Sequence, residues 1–104
     1  MTTQRLCRLD ELTEGTARRF DVPGARLAVA RIGDEVFCIA DRCSHEDFSL
    51  AEGEVLVEER EIECVRHGAT FDLTTGEPCS LPATKAVATY ETTVRDGFVE
   101  VEIP

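Results

Sequence analysis

Two short stretches, Cys43-Ser44-His45 and Cys64-Val65-Arg66-His67, are the most informative part of the sequence, because each places a cysteine near a histidine. Eighteen residues lie between His45 and Cys64, which is enough for a pair of strands that bring two loops face to face. The two stretches hold both histidines of the chain and two of its five cysteines. We therefore predict a metal site at these loops, because thiolates and imidazoles are common metal ligands.

The order of the ligands along the chain bears on which metal is bound. Two cysteines and two histidines suit zinc, and they also suit a [2Fe–2S] cluster in which histidines replace two cysteines on one iron. Structural zinc sites usually pair cysteine with cysteine and histidine with histidine, whereas each stretch here offers one of each. Two such loops would place the sulfur ligands on one iron and the nitrogen ligands on the other. The pattern favours an iron–sulfur cluster and leaves zinc as the alternative.

The rest of the sequence predicts short strands. Apolar and alternating runs are separated by turn residues at close spacing, which is typical of an all-β sandwich or barrel. Gly33-Asp34 and Asp96-Gly97 are expected to form tight hairpin turns, and residues 10–12 a turn or a single helical turn. The predicted strands are residues 4–9, 16–20, 26–32, 35–40, 53–57, 61–64, 69–72, 90–94 and 98–103.

The cysteines are expected to fall into two groups. Within residues 61–64, glutamate alternates with Ile62 and Cys64, so Cys64 should point to the same buried side as Ile62. An odd number of scattered cysteines is a poor disulfide framework. We predict that the remaining three are small core residues with no redox role: Cys7, Cys38 and Cys79.

Composition limits the class of protein. A chain of 104 residues suffices for one domain with its own core. The 21 acidic and 11 basic residues give a net charge of −10, which argues against nucleic acid or an anionic membrane as a partner. This charge favours a protein partner with a basic patch, or it serves only to keep the chain soluble. The sequence shows no run long enough to span a bilayer and no signal pattern after Met1, so a cytoplasmic location is expected.

The paired motif resembles the Rieske iron–sulfur pattern, and most of all that of the small soluble Rieske-type ferredoxins that serve bacterial ring-hydroxylating oxygenases. The likeness continues through Phe71-Asp72 and Thr75-Gly76-Glu77-Pro78 to the Asp96-Gly97 turn. It implies an all-β Rieske fold, in which an antiparallel β-sandwich or barrel base carries an inserted cluster-binding subdomain. The implied single domain covers residues 1–104, with its base at 1–40 and 84–104 and its subdomain at about 41–83.

The same resemblance implies a function and its ligands. Cys43 and Cys64 would bind one iron of a [2Fe–2S] cluster, and His45 and His67 the other. The chain would be a ferredoxin, an electron-transfer component with no catalysis of its own. It would pass single electrons from an NAD(P)H-dependent flavoprotein reductase to a terminal oxygenase, and a monomer is expected.

Three departures from the wider family bear on the redox potential. Glu46-Asp47 follows the first histidine where many relatives have glycine, and two carboxylates there should lower the potential. A redox titration of Glu46→Gln tests this, since the hypothesis requires an upward shift. Respiratory Rieske proteins carry an additional cysteine in each loop, which this chain lacks, and Ala69 stands where they place a hydroxyl. We expect a potential toward the low end of the Rieske range of roughly −150 to +300 mV.

Other interpretations stay open at this point. A structural zinc module and a Rieske-like accessory subunit of another redox or assembly complex are the two alternatives. The oxygenase itself is excluded, because the chain is too short to hold a separate catalytic iron domain. Phe48 and Leu50 would either cover the cluster or belong to the ordinary core. Pro78 and Pro82 are expected to shape a loop over the cluster.

Overall fold

The structure is a computed structural model that describes residues 2–42, 49–65, 68–81 and 84–104. Within these ranges the chain forms strands and two short 3-10 turns, at Leu9–Glu11 and Leu50–Glu52, with no helix that could cross a membrane. The strands are β1 (Thr2–Arg8), β2 (Thr16–Val22), β3 (Ala25–Ile32), β4 (Glu35–Ala40), β5 (Val55–Leu56), β6 (Glu61–Glu63), β7 (Thr70–Asp72), β8 (Thr89–Tyr90), β9 (Thr92–Arg95) and β10 (Phe98–Ile103). The predicted all-β fold class is confirmed.

Three antiparallel sheets make up the fold. The middle sheet has the order β2-β3-β4-β8, one outer sheet is β1-β10-β9, and the other is β5-β6-β7. The β5-β6-β7 sheet lies entirely within residues 55–72, inside the range expected for the cluster-binding subdomain. The division of the chain into a base and that subdomain remains a prediction.

The β3–β4 hairpin forms the centre of the molecule. The predicted turn at Gly33-Asp34 is confirmed: Ile32 pairs with Glu35, and Gly33 has a φ of +62° that glycine adopts without strain. All four residues 27–30 of β3 are buried. Since successive side chains of a strand point to opposite faces, both faces of this sheet must be covered.

Two separate hydrophobic cores provide that cover. The first lies between the middle sheet and β5-β6-β7, and its buried members are Ala28, Ala30, Ile39, Leu50, Val55, Ile62, Cys64, Ala69, Phe71, Leu73 and Val87. The second lies between the middle sheet and β1-β10-β9, and its buried members are Leu12, Leu27, Val29, Cys38, Val99, Val101 and Ile103. Both predicted ligand stretches adjoin this first core, because Leu50 follows the first stretch and Cys64 begins the second.

The predicted strand over residues 90–94 is wrong in one respect. The chain instead forms two strands with different partners: Tyr90 of β8 pairs with Cys38 in the middle sheet, and Thr92 of β9 pairs with Val101 in the outer sheet. Glu91 lies between them, and its carbonyl accepts a hydrogen bond from Glu102 N–H. The reason is that β4 and β10 each present unpaired backbone groups to this segment, so it joins both sheets in turn.

The core position expected for the three extra cysteines is confirmed for Cys38, which is fully buried, and holds in part for Cys7. Cys7 is half-buried at a bulge in β1, where the register shifts between Arg5 and Cys7. For Cys79 it is wrong, because this residue is exposed. Pro78 bridges to the inward-facing Phe71, so the next side chain along the strand direction points to the opposite, solvent side.

Candidate metal centre

Cys64 is delivered to the interior by β6. Ile62 and Cys64 are both buried, at 0% and 1% exposure, while Glu61 and Glu63 are only partly covered. The predicted inward direction of Cys64 is confirmed, and it follows from the period-two alternation of the strand.

The second of the two predicted ligand loops covers residues 65–68, and backbone hydrogen bonds close it at its two ends. The Cys64 N–H donates to the carbonyl of Ala69 at 2.7 Å, and the Gly68 N–H donates to the carbonyl of Cys64 at 3.0 Å. Gly68 has a φ of +73°, a conformation that favours glycine and lets the chain turn back within so few residues. Val65 is half exposed, whereas Ala69 is fully buried. The loop therefore leaves and re-enters the core at fixed points.

The first predicted ligand loop covers residues 43–48, and the side chain of Asp41 connects the segments on either side of it. This carboxylate is fully buried just after β4, and it accepts hydrogen bonds from Ser49 Oγ at 2.6 Å and from the Ala51 N–H at 2.8 Å. Residues 43–48 lie between these partners in the sequence. Leu50, within the 3-10 turn, is fully buried in the first core. Of the two interpretations of Leu50, core membership is therefore the one that the structure supports.

Two arginines from the middle sheet support Asp41. Arg19 Nε lies 3.6 Å from Asp41 Oδ2, and it also donates a hydrogen bond to Asp21. The bond to Asp21, with a further contribution from Asp41, raises the pKa of the Arg19 guanidinium, which keeps it charged. Arg26 contributes through Asp41's backbone: the Asp41 N–H donates to the carbonyl of Arg26 at 2.9 Å, and Arg26 Nη2 donates to the Asp41 carbonyl at 3.2 Å.

The two loops are joined by a close backbone approach at Gly53. A Cβ at this position would overlap the carbonyl oxygen of Glu63, the residue before Cys64. Glu63 in turn donates its N–H to the Glu54 carbonyl at 2.9 Å. The segment that ends the first loop thus packs directly on the strand that leads into the second.

Sequence reasoning missed Asp41. Its signal in the sequence is a lone carboxylate that directly follows the apolar run of β4 and precedes Cys43 by two positions. A buried charge costs free energy unless it is paired and hydrogen-bonded, so such a residue is retained for its contacts. The predicted site residues, by contrast, were identified by residue type, by spacing and by the resemblance to the Rieske pattern.

Of the four predicted ligands, Cys64 lies within the described residues. Cys43, His45 and His67 lie outside them, as do Glu46, Asp47, Phe48, Arg66 and Pro82. Within the described ranges, no group of three histidine, cysteine, aspartate or glutamate side chains could hold a metal ion. Pro78 is described, and its bridge to Phe71 places it beside the first core. Its expected role in a loop over the cluster remains a prediction.

The donor set fits a [2Fe–2S] cluster. The predicted set has two thiols and two imidazoles, which is the composition that a cluster of this type requires, and the described thiol of Cys64 lies among apolar residues. Cys64 is positioned by a strand on one side and by a closed backbone loop on the other. Such a frame would hold the Cys64 side chain in place for a metal.

Comparison with known proteins also indicates a [2Fe–2S] protein. Residues 2–91 match the sequence profile described as the Rieske [2Fe–2S] domain. The 3-phenylpropionate/cinnamic acid dioxygenase ferredoxin subunit of Shigella flexneri serotype 5b (strain 8401) is 37% identical over 98 residues, which cover 94% of this chain and 91% of that protein.

Solved structures agree with the sequence match. The ferredoxin of carbazole 1,9a-dioxygenase from Nocardioides aromaticivorans IC177 superposes with a TM-score of 0.94 at 38% identity and covers 97% of both chains. A complex of reduced oxygenase and oxidized ferredoxin in carbazole 1,9a-dioxygenase contains a chain with a TM-score of 0.87 at 37% identity, covering 95% of this chain and 91% of that one. The similarity therefore extends over nearly the whole chain, in sequence and in fold.

Proposed function

This chain belongs to the Rieske [2Fe–2S] domain family, and from that premise we propose that it is a one-electron carrier for a ring-hydroxylating oxygenase system. The observation that carries the proposal is the placement of Cys64, which a buried strand end and a closed loop hold in the first core. The ferredoxin subunits to which the chain is similar support the role. Catalysis would belong to the separate oxygenase.

We propose that Cys43 and Cys64 bind one iron, and that His45 and His67 bind the other. The bound cluster supplies reversible uptake of a single electron, at a potential above that of all-cysteine plant-type clusters at roughly −400 mV. The described residues would keep water from the thiolate side of the site. Leu50, Ala69 and Phe71 are fully buried and share one apolar core with Cys64.

The partners would be an NAD(P)H-dependent flavoprotein reductase and a terminal oxygenase. A solved oxygenase–ferredoxin complex of a similar ferredoxin supports the second. The net charge of −10 supports docking on basic patches and argues against nucleic acid or a membrane surface as a partner. A monomer in the cytoplasm remains our expectation for the free protein.

The identity of the cofactor is tested by purifying the protein anaerobically and measuring iron, acid-labile sulfide and zinc. We expect two irons and two sulfides per chain, with a rhombic EPR signal after reduction by dithionite. Zinc alone, with no EPR signal, would contradict the proposal and support the structural zinc module instead.

Docking by charge is tested by turnover of the reconstituted system at increasing salt. Since exposed charges are screened over about 8–10 Å at physiological ionic strength, the rate should fall as salt rises. The control is direct reduction of the ferredoxin by an uncharged chemical reductant, whose rate should change little. If added salt leaves turnover unchanged, electrostatic docking is wrong.

A further inference from the structure

Asp41 is the one buried charged residue in the described part of the chain. It lies two positions before Cys43, and its carboxylate contacts the segment that follows residue 48. We infer that Asp41 is a positioning residue for the cluster: its carboxylate sets the span between the two ends of the first ligand loop. The inference rests on the proposed function, since it assumes that Cys43 and His45 are ligands.

Each oxygen of the Asp41 carboxylate has its own partner on the far side of the loop. Oδ2 accepts from the Ser49 hydroxyl at 2.6 Å, and Oδ1 accepts from the Ala51 N–H at 2.8 Å. Bidentate use of one rigid group fixes direction as well as distance. The carboxylate thereby ties residue 41 to residues 49–51 and closes the chain around residues 43–48.

Both sides of this closure are themselves fixed. The Asp41 backbone exchanges hydrogen bonds with Arg26, at 2.9 Å from its N–H and at 3.2 Å to its carbonyl. On the other side, the Gly53 N–H donates to the carbonyl of Leu50 at 3.0 Å, and Leu50 is fully buried. A contact between two anchored segments transmits a fixed geometry to the loop that joins them.

The two ligand loops differ in what closes them. Backbone groups of Cys64, Gly68 and Ala69 close the second loop, so side-chain substitution leaves those hydrogen bonds available. The first loop relies on a side-chain carboxylate. Changing that single side chain should therefore disturb the ligands of the first loop while the second loop keeps its own closure.

The energetics of burial support a dedicated role. A buried carboxylate is strongly unfavourable unless it is hydrogen-bonded and paired. Asp41 meets both conditions through Ser49, Ala51 and Arg19, with Arg19 Nε at 3.6 Å. Ser49 and Ala51 lie at the far end of the loop, and Arg19 belongs to β2 of the middle sheet.

Four substitutions test the inference. Asp41→Asn keeps the shape and one acceptor but removes the charge and the second acceptor. Ser49→Ala removes a single hydrogen bond from a half-buried residue, and Ser49→Thr keeps the hydroxyl as its matched conservative variant. Thr92→Val is the control for a lost hydrogen bond elsewhere, because Thr92 Oγ1 donates to the Val36 carbonyl at 2.8 Å in a different part of the fold.

The measurement is the rate at which the holoprotein loses its visible absorbance in the presence of an iron chelator, together with the EPR spectrum of the reduced protein. Outer contacts that orient metal ligands typically change metal affinity 10–100-fold. We expect Asp41→Asn to lose the cluster about 10–100-fold faster and to broaden the EPR lines. Ser49→Ala should show a smaller acceleration, and Ser49→Thr and Thr92→Val should match the wild type.

The outcomes separate the inference from the proposed function. If the wild-type protein contains no [2Fe–2S] cluster, the proposed function fails. If the wild type holds the cluster and both Asp41→Asn and Ser49→Ala lose it at the wild-type rate, the positioning role of Asp41 is overturned. Equal acceleration in Thr92→Val would overturn it as well, because general loss of stability would then explain the effect. If Asp41→Asn fails to fold, Ser49→Ala measured against Ser49→Thr decides the question.

Discussion

Cys64 and Cys38 lie on opposite sides of the middle sheet, both fully buried and each in a different hydrophobic core. Cys64 directly follows β6 at the start of a closed loop, whereas Cys38 lies within β4 and pairs with Tyr90. Their exposure is alike, at 1% and 2%. They differ in position: Cys64 adjoins the second ligand loop, and Cys38 lies in the other core. We therefore expect the same substitution to have different effects at the two sites.

Replacing each of these cysteines by alanine should give opposite results for the cofactor. Cys64→Ala removes a proposed iron ligand, so the purified protein should lack the cluster. Cys38→Ala removes only a buried sulfur and should keep the cluster, while its free energy of unfolding falls by about 1–2 kcal/mol. Iron content and the visible spectrum check both. A Cys64→Ala protein with wild-type iron and spectrum would refute the ligand assignment.

The Cys38 thiol should make stability depend on pH at the alkaline end. Burial raises the pKa of Cys38 from its ordinary value of 9.0 to about 12. Above pH 9 the unfolded thiol ionises while the folded thiol stays protonated, so this contribution is present below pH 9 and is lost as pH rises toward 12.

The size of that loss is measured as a difference between two proteins. At pH 10 the wild type should have lost about 1 kcal/mol through this group, which Cys38→Ala does not lose. Urea unfolding of both holoproteins at pH 8 and pH 10 gives the values, and the other titrating groups cancel. If the difference in free energy of unfolding between the two proteins is the same at pH 8 and pH 10, ionisation of Cys38 does not contribute to the pH dependence.

Gly53→Ala should damage the link between the ligand loops. The added Cβ would overlap the Glu63 carbonyl, so the backbone must move, at a cost of about 3 kcal/mol. Gly97→Ala is the matched control, because its φ is +80° but nothing lies within 4 Å of the new Cβ. Strain alone should cost that variant about 1–2 kcal/mol.

Cofactor content distinguishes the two glycine variants further. Gly53→Ala should also lower the iron bound per chain, since the shift separates Leu50–Glu52 from β6. Gly97→Ala lies at the β9–β10 turn and should keep full occupancy. Chemical denaturation and iron analysis measure the two effects. The interpretation of Gly53 is wrong if both variants lose equal amounts of iron.

The midpoint potential should lie toward the lower end of the Rieske range, which begins at roughly −150 mV. Ala69 is fully buried beside the second loop and offers no hydroxyl to a cluster sulfur. Ala69→Ser should raise the potential by about 60–130 mV, since hydrogen bonds to charged groups contribute about 1.5–3 kcal/mol and one-electron couples change by 59 mV per 1.4 kcal/mol.

Ala30→Ser serves as the control for a buried hydroxyl placed away from the loop, because Ala30 belongs to β3 in the same core. Its potential should stay at the wild-type value. Redox titration monitored by EPR or visible absorbance measures all three proteins. A wild-type midpoint far above zero would contradict the expected low value, and equal shifts in both serine variants would remove the specific role of Ala69.

The parts of the fold that depend on neighbours in sequence could be predicted. The Gly33-Asp34 and Asp96-Gly97 turns, the burial of Ile62 with Cys64, and the 3-10 turn at Leu9–Glu11 all follow from local patterns. Each is decided within a few residues. The predicted ligand set rests on residue type and order, and within the described residues the structure confirms only the buried position of Cys64.

The parts of the fold that depend on residues distant in sequence could not be predicted. Residues 89–95 divide between two sheets because β4 and β10 compete for them, which no local pattern encodes. In the sequence Asp41 resembles an ordinary loop carboxylate, because its hydrogen bonds from Ser49 and Ala51 are visible only in the structure. The exposure of Cys79 depends on which way the chain faces after Pro78. Tertiary context decides all three.

The two-sided burial of β3 has a consequence for the order of folding. Leu27 and Val29 face one core, and Ala28 and Ala30 face the other, so neither outer layer can complete its packing before this strand is in place. The β3–β4 hairpin joins residues that are near in sequence, and such contacts cost the least chain entropy to form. We therefore expect this hairpin to form early in folding, and the ligand loops, which adjoin the layer added to it, to be ordered after it.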